Sequence, residues 1–419
     1  MARTMKDSGI PWVGEVPSDW EMLRNKDFMK VTNEKVGERK NDFLLLSLSK
    51  QGVIIRDVSE GKGKFPKDFD TYLVVKPGNL VFCLFDVAET PRTVGLVKNI
   101  GMLTGAYTNF KIETSLLLPE FAYYYYIAVD DFKRLKPYYT GLRNIVKTST
   151  FLSLKFPCPP LPEQKRIAEY LDKVTESIDG LRAKIEREIE RLGDWRKSVI
   201  TESVCHGLDK NAAMKDSGIP WVGKVPSAWE VNKIKYWFAA TNSRGNSILQ
   251  LLSATQKYGM YPQSKLEGVV QVAEKTDLNS FKTVHIDDFV ISLRSFQGGI
   301  ERSDYEGVCS PAYQTFHATR TIDTAYFKHL FKSQGFIAAL NLLTVGIREG
   351  KTINYSDVRN MLIPVPPLPE QKRIAEYLDN VTAKVDEMIG KRKAELERLE
   401  SLKRSIVCEC VTGKRVVSR

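Results

Sequence analysis

Hydrophobic residues recur at alternating steps of four and three in two long stretches of the chain, and the residues between them are mostly polar or charged. In the first stretch the apolar positions are Ile167, Leu171, Val174, Ile178, Leu181 and Ile185, followed by Leu192, Trp195 and Val199. In the second they are Ile374, Leu378, Val381, Val385 and Met388, followed by Leu399, Leu402 and Ile406. This spacing places the side chains on one narrow face of an α-helix, as in a coiled coil. The pattern therefore predicts two long amphipathic helices whose apolar faces form inter-helix packing.

The two helices are expected to pack against each other. From Pro162, which suits a first helical turn, to Cys205 the helix would be about 65 Å long at about 1.5 Å per residue. One narrow stripe of this length cannot be covered by a single globular domain, so an antiparallel pair within the chain is the simplest arrangement. Polar residues interrupt both stripes near the middle, at Glu188 in the first and at Arg392 and Glu395 in the second, where they can fix the register. The alternative is that each helix docks separately on another subunit.

The chain contains two pairs of repeated blocks. Residues 5–21 and 214–230 share 15 of 17 positions, and residues 159–172 and 366–379 are identical over 14 positions. A repeat period near 200 residues indicates duplicated domains, not a solenoid of short units. The stretches between the blocks differ but keep scattered landmarks, such as Gly101 and Gly307. The two copies are expected to share a fold and to differ in what they recognise.

These patterns predict a mixed α/β (α+β) protein. It would have two similar globular domains separated by two long antiparallel coiled-coil helices, with pseudo-two-fold symmetry. The expected boundaries are 1–157 for the first domain, 158–208 for the first long helix, 209–364 for the second domain, and 365–419 for the second helix and a basic tail. The length of 419 residues suffices for two cored domains of about 150 residues each.

The formal net charge of +11 lies outside the helices. Residues 163–197 contain nine basic and nine acidic residues, and residues 370–403 contain eight of each. Surplus lysine and arginine confined to the globular parts is typical of a surface that binds a polyanion such as nucleic acid. The alternative is a generally basic protein without such a target.

Other classes of protein find little support in the sequence. The six cysteines show no zinc-ligand spacing, and no apolar run approaches the roughly 20 residues that span a bilayer, so we expect a cytoplasmic protein without a metal site. Residues 346–352 resemble a phosphate-binding loop but have three residues between the glycines instead of four. The chain is therefore expected to be a binding protein without catalytic residues or a cofactor of its own.

The repeated WVGxVPSxWE block, the PPLPEQKRIAEYLD block and their alternating order resemble the DNA-specificity (S) subunit of type I restriction-modification enzymes. The resemblance covers essentially the whole chain. It implies that each globular domain is a target recognition domain that reads one half of a bipartite, asymmetric site in double-stranded DNA. It also implies that the helices set the spacing between the half-sites.

The same resemblance implies partner proteins. Two methyltransferase (M) subunits would bind the helices and transfer methyl from S-adenosylmethionine to adenine N6. Restriction (R) subunits that use ATP and Mg would join them and cleave DNA. The alternative function is a coiled-coil adaptor that joins two protein partners without touching nucleic acid.

The residues that contact DNA are expected on loops of the two domains, where arginine suits guanine and glutamine suits adenine. The candidates are Lys50, Gln51, Arg92, Arg143 and Lys147 in the first domain, and Arg294, Gln297, Arg348 and Lys351 in the second. Gly141-Leu-Arg143 recurs as Gly346-Ile-Arg348, and this recurrence indicates a phosphate contact that positions the domain. Arg294 and Gln297 follow an apparent strand in a glycine-containing loop that differs between the copies, and are expected to read bases.

Overall fold

The computed structural model describes residues 3–56, 69–244, 248–256, 258–266, 278–293, 298–344 and 352–417. It divides into two compact parts, which we call unit 1 (Met1–Ile185 with Ala394–Arg419) and unit 2 (Glu186–Lys393). Both divisions fall inside long helices, so each long helix contributes one part to each unit. Unit 2 is continuous in sequence, whereas unit 1 is assembled from two separate segments.

Unit 1 contains mostly short strands and a few helices. Its described strands are β1 (Met5–Asp7), β2 (Glu15–Pro17), β3 (Glu21–Arg24), β4 (Met29–Thr32), β5 (Leu44–Ser49), β6 (Gly52–Ile55), β7 (Leu73–Val75), β8 (Leu80–Phe82), β9 (Val94–Leu96), β10 (Gly101–Leu103), β11 (Thr108–Ile112) and β12 (Lys155–Cys158). Its helices are α1 (Asn25–Phe28), α2 (Pro119–Asp131) and α3 (Thr148–Ser153), and the long helix α4 (Leu161–His206) begins in it.

The strands of unit 1 form two four-stranded sheets, in the orders β6-β5-β10-β7 and β4-β11-β8-β9, and two pairs, β1-β2 and β3-β12. Only β5 and β10 pair in parallel among these described strands. Helix α2 packs on β9 and buries nearly its whole circumference, including Tyr125 and Tyr126. The core is therefore rich in aromatic rings packed among aliphatic side chains, with Phe82, Phe110 and Phe156 all buried.

Unit 2 repeats this architecture with changes. Its described strands are β13 (Met214–Ile219), β14 (Gly223–Pro226), β15 (Glu230–Lys233), β16 (Phe238–Thr241), β17 (Leu252–Thr255), β18 (Gly259–Pro262), β19 (Lys282–Val284), β20 (Phe289–Ser292), β21 (Glu301–Arg302), β22 (Gly307–Cys309), β23 (Tyr313–Ala318) and β24 (Leu362–Val365). Its helices are α5 (Thr324–Phe331), α6 (Gln334–Leu342) and α7 (Tyr355–Val358), and the second long helix α8 (Leu368–Val411) begins in it.

The sheet β16-β23-β20-β21 has the same order as β4-β11-β8-β9, and the pairs β13-β14 and β15-β24 answer β1-β2 and β3-β12. Gly101 and Gly307 show why the landmarks survive in both copies. A Cβ atom at Gly101 would lie 2.6 Å from the carbonyl oxygen of Leu44, and one at Gly307 would lie 2.5 Å from that of Gln250. Only glycine allows the backbones to approach so closely, so both copies keep it.

The two long helices predicted from the apolar stripes are present, and the mixed helix-and-sheet fold class is confirmed. Ion pairs join α4 to α8 within each unit. In unit 1, Lys403 Nζ lies 2.7 Å from Asp179 Oδ1 and Arg182 Nη1 lies 2.9 Å from Glu400 Oε2. The later residue on α4 pairs with the earlier residue on α8, so the two helices run antiparallel there.

Unit 2 shows the same pairing. Arg392 Nε lies 3.0 Å from Glu188 Oε2, and Arg196 Nε lies 3.2 Å from Asp386 Oδ1. Glu188 and Arg392 are two of the three polar residues that interrupt the stripes, and each supplies a charged partner for the other. The pair remains partly exposed, so its contribution to stability is small, and its role in fixing the register remains a prediction.

The apolar stripes are buried unevenly. Fully buried or nearly so are Ile167, Leu171, Ile178, Ile185, Ile374, Leu378 and Val385. Val174, Val381 and Leu399 are partly buried, whereas Leu181 and Met388 are about half exposed. Ile167 and Leu171 join the aromatic core of unit 1, and Ile374 and Leu378 join the core of unit 2. The first turns of each long helix therefore pack on the adjacent globular part, and the individual inter-helix contacts predicted from the heptads remain predictions.

Candidate nucleic-acid interface

The two kinds of repeated block meet at the start of each long helix. In unit 1 the buried Trp20 donates from Nε1 to Glu163 Oε2 at 3.2 Å, and in unit 2 the buried Trp229 donates to Glu370 Oε2 at 2.8 Å. Arg3 adds a hydrogen bond of 2.6 Å to Glu163 Oε1. These shared residues thus attach the beginning of each copy to its long helix.

The glutamine that follows each glutamate also has a fixed structural role. Gln164 is buried, donates from Nε2 to the carbonyl oxygen of Pro159 at 2.8 Å, and accepts from the backbone N–H of Leu118 at 2.7 Å. Gln371 makes the matching bonds of 2.8 Å to Pro366 and from Asp323. Identical residues in the repeated blocks are therefore explained by anchoring, which leaves the dissimilar loops as candidates for recognition.

Another candidate in unit 1 is the hairpin tip, by which we mean residues 141–144, although its Gly141-Leu-Arg143 motif recurs in the second copy. Thr140 and Ile145 close its base with two backbone hydrogen bonds of 2.9 and 3.0 Å. Gly141 has a φ of 70° and Asn144 a φ of 44°, both in the left-handed region that permits a tight turn. Leu142, between the base and Arg143, is fully exposed. The tip therefore presents two adjacent exposed side chains, the apolar Leu142 and the charged Arg143.

Arg143 is held by residues of the loop that follows β8. Its Nε donates to Asp86 Oδ1 at 3.1 Å and its Nη2 donates to Asp86 Oδ2. Its guanidinium carbon lies 5.2 Å from the centre of the Phe85 ring. The hydrogen bond from Arg143 holds the pKa of Asp86 below its ordinary value. The sequence places Phe85 and Asp86 in the loop that corresponds to the Arg294 loop of the second copy, but it does not predict their contact with Arg143, because nothing in the chain near Arg143 indicates which distant loop will meet it.

Lys50, Gln51 and Lys147 are exposed on the surface of unit 1. Lys50 and Gln51 occupy the turn between β5 and β6, where the backbone N–H of Gln51 donates to Ser49 Oγ at 3.1 Å. Lys147 directly precedes α3. All three side chains are accessible to a ligand, and their contact with DNA remains a prediction.

Arg92 is in a different environment from the other candidates. Its Nη1 lies 3.1 Å from Asp130 Oδ2 and 2.9 Å from Asp131 Oδ1, and its side chain is only 17% exposed. Burial lowers the pKa of Arg92, but the charges of Asp131 and Asp130 outweigh that effect and leave it raised. Two carboxylates already neutralise this guanidinium, so the geometry explains Arg92 as a link between the β9 region and α2, and contact with DNA is untested.

Four candidates of the second domain, Arg294, Gln297, Arg348 and Lys351, lie outside the described residues. Among the residues that are described, no group of histidine, cysteine, aspartate or glutamate side chains could hold a metal ion. The described helices likewise include none that is long and apolar enough to cross a membrane.

A family model described as the type I restriction modification DNA specificity domain matches the chain twice, at residues 17–191 and 226–398. These ranges cover well over half of the chain. The chain belongs to this specificity-domain family. Each match starts in a repeated WVGxVPSxWE block and ends within a long helix, so each copy of the family domain contains one globular part and the beginning of α4 or α8.

Relatives of the specificity-domain family resemble the chain over nearly its whole length. The type I restriction enzyme MjaVIII specificity subunit of Methanocaldococcus jannaschii is 25% identical over 437 residues, which cover 95% of this chain and 93% of the relative. The type I restriction enzyme EcoDI specificity subunit of Escherichia coli is 19% identical and covers 96% of this chain and 90% of the relative.

Two solved structures share the fold. A chain from a study of complex assembly and conformational transition of the type I restriction-modification system superposes with a TM-score of 0.70 at 14% identity, covering 96% of this chain and 99% of that one. The HsdS subunit from Thermoanaerobacter tengcongensis superposes with a TM-score of 0.50 at 15% identity, covering 96% and 98%. The specificity-domain fold therefore extends over both copies.

Proposed function

We propose that this chain is the DNA-reading specificity subunit of a type I restriction-modification system. Each globular part reads one half of a bipartite, asymmetric site, with the boundaries 1–157 and 209–364 predicted from the sequence. The observation that carries the proposal is the presence of two specificity domains in one chain whose shared residues anchor the fold and whose loops differ. Two unlike reading surfaces suit a target made of two unlike sequences.

The distribution of charge supports a DNA ligand. The long helical segments are electrically balanced, so the surplus of +11 lies in the globular parts and the basic residues beyond α8. Lysine and arginine there supply the part of DNA affinity that does not depend on sequence. Exposed Lys50 and Gln51 lie on a turn of unit 1 and exposed Lys147 directly precedes α3, where a duplex can reach them.

The proposal assigns the chemistry to partner proteins. Methyltransferase subunits bound to the long helices transfer methyl from S-adenosylmethionine to adenine N6, and restriction subunits with ATP and Mg cleave the DNA. The chain itself is proposed to be non-catalytic, since neither its motifs nor the arrangement of its described polar residues suggests an active site.

The decisive experiment maps N6-methyladenine across the genome of a host that lacks such a system and expresses this chain with its modification subunit. We expect one motif with two short specified parts separated by unspecified bases. Duplexes with either part scrambled should lose specific binding to the purified complex. A complex that assembles but neither methylates nor binds any DNA would instead favour the adaptor.

A further inference from the structure

The hairpin tip and the loop after β8 form one rigid feature of unit 1, which we call the arginine clamp (Phe85, Asp86 and residues 141–144). Besides the two side-chain hydrogen bonds, the backbone N–H of Asp86 donates to the carbonyl oxygen of Arg143 at 2.7 Å. Asp86 adopts a left-handed φ of 48°, unusual for a residue with a side chain. Strained conformations of this kind persist where the surroundings impose them and are concentrated at functional sites.

We propose that Arg143 reads a guanine in the half-site of the first domain and that Asp86 is the residue that positions it. This inference rests on the proposed function and deepens it. It gives Arg143 a different role from the phosphate contact predicted by the recurrence of its motif.

The hydrogen-bonding inventory of Arg143 supports base reading. A guanidinium carries five N–H groups in a planar fork. Asp86 takes the Nε–H and one N–H of Nη2, which leaves two N–H groups on Nη1 and one on Nη2. The free Nη1 and Nη2 edge is the pair of donors that matches the O6 and N7 acceptors of guanine. Because Asp86 holds the Nε and Nη2 edge of the guanidinium, Arg143 presents its Nη1 and Nη2 donors in one orientation only.

Electrostatics favours guanine over phosphate as the partner. The Asp86 carboxylate is ionised near neutral pH, and its hydrogen bond with Arg143 lowers its pKa further below the ordinary value. A phosphate bound to the same guanidinium would therefore lie near a second negative charge, whereas guanine O6 and N7 belong to an uncharged base. The Arg143–Asp86 pair has no net charge and makes a poor phosphate anchor. Lys147, exposed just beyond the tip, is the better candidate for that role.

Aromatic rings support the Arg143 guanidinium, and the tip beside it is exposed. The Phe85 ring that lies beside the Arg143 guanidinium is itself stacked on Tyr107 with ring centres 6.2 Å apart. Asn144 Nδ2 adds a hydrogen bond of 3.0 Å to Glu89 Oε1, in the same segment as Asp86. Arg143 is thus ordered before any ligand arrives, so less side-chain entropy is lost on binding. Leu142, fully exposed beside it, can contact a neighbouring thymine methyl group.

The clamp is specific to the first copy in sequence. In the second copy Val290 matches Val81, and Arg294-Ser295 stands where the first copy has Phe85-Asp86. Arg348, the counterpart of Arg143, therefore has no carboxylate at the matching position. The clamp therefore acts on the half-site of the first domain, and variants of the clamp should leave the half-site of the second domain unaffected.

The test compares methylated motifs for the chain with its modification subunit and for four variants, Arg143→Ala, Arg143→Lys, Asp86→Asn and Lys147→Ala. We expect the unaltered chain to require a guanine at one position of one half-site. Arg143→Ala should abolish the preference there and nowhere else, and Arg143→Lys and Asp86→Asn should each weaken it at the same position. Lys147→Ala should keep the motif and reduce the slope of log affinity against log salt by about 1.

A second measurement leaves the protein unchanged. Replacing that guanine by 7-deazaguanine removes the N7 acceptor, and we expect binding of the unaltered complex to weaken on the order of tenfold. The Arg143→Ala complex should bind both duplexes equally. If Arg143→Ala keeps the motif and weakens binding to all DNAs with a reduced salt slope, Arg143 contacts phosphate and the inference fails while the proposed function stands. If the unaltered complex neither methylates nor binds DNA, both fail together.

Discussion

A single aspartate position of the repeated helix block meets different partners in the two copies. In unit 1 the Tyr124 hydroxyl donates to Asp172 Oδ1 at 2.6 Å, and in unit 2 His329 Nε2 lies 2.8 Å from Asp379 Oδ1. Since an ionised carboxylate only accepts, the imidazole donates through Nε2. Burial lowers the pKa of His329 below its ordinary value of 6.5, despite the opposing pull of Asp379. Lys328 on the same helix and Arg196 on α4 also disfavour the charged imidazole.

Unit 2 should therefore lose stability in mild acid. Because the pKa of His329 is lower in the folded chain than the ordinary 6.5, the unfolded chain takes up the proton first as pH falls. The stabilising effect of neutral His329 is complete above pH 6.5 and is lost as pH falls toward the folded-state pKa. We expect His329→Tyr, which copies Tyr124, to remove this loss in thermal unfolding measured between pH 7.5 and about 5.

The control for this prediction is the reverse exchange, Tyr124→His, which should introduce an acid-dependent loss in unit 1. The pKa of Asp379 is lowered to about 2, so its own titration falls well below this pH window. An unfolding midpoint with the same pH dependence in the unaltered chain and in His329→Tyr would contradict the assignment to His329.

At the scale of single residues, the sequence indicated candidate side chains but not the residues that they contact. Arg143 was identifiable because its motif recurs, yet its partner Asp86 lies 57 residues away in the chain. From the sequence, Arg92 was expected to be an accessible basic side chain on a loop. In the structure it pairs with Asp130, and this pairing depends on how α2 packs beside β9. Such pairings are set by tertiary packing, which no local pattern reveals.

At the scale of elements, the apolar stripe predicted both long helices because helical periodicity is local in sequence. Strand order is not local. The parallel pairing of β5 with β10, and the pairing of β3 with β12 across most of the first domain, bring together segments far apart in the chain. The heptad pattern also treated all stripe positions alike, whereas Leu378 is fully buried and Met388 is 51% exposed.

This difference predicts unequal costs for substitutions along one stripe. Leu378→Ala should destabilise unit 2 by about 3 kcal/mol, because it removes a buried side chain and leaves a cavity in the core. Met388→Ala, ten residues further along α8, should cost less than about 1 kcal/mol because the side chain is half in solvent. Denaturant unfolding of the two variants measures both values, and similar losses would contradict the uneven burial.

At the scale of the whole molecule, the sequence supplied the duplication and the alternating order of blocks directly. It also indicated the antiparallel pairing, which the contacts of Asp179 with Lys403 and of Glu188 with Arg392 bear out within each unit. It could not supply the division of the chain, in which the last part of α8 belongs with the first domain.

If the helices set the spacing between half-sites, lengthening them together should lengthen the unread spacer. We expect one extra heptad near Gly180 of α4 and another near Leu402 of α8 to keep the apolar stripe in register and add about 10 Å of helix. At about 3.4 Å per base pair, the methylated motif should gain about 3 unspecified base pairs. A Cβ atom at Gly180 meets open space, so Gly180→Ala is a control expected to leave the motif unchanged. An unchanged spacer in the lengthened chain would exclude the helices as the gauge.

The discontinuous composition of unit 1 also affects the order in which the protein can be completed during synthesis. Every residue of unit 2 leaves the ribosome before residue 394, while the first 185 residues still lack Ile406, Val407 and Val411, which fill their core. Domains fold as their segments become available, so the half made first is the half finished last. During that interval the core of the first half lacks these apolar side chains, so we expect the incomplete first half to be the part of the nascent chain most prone to aggregation.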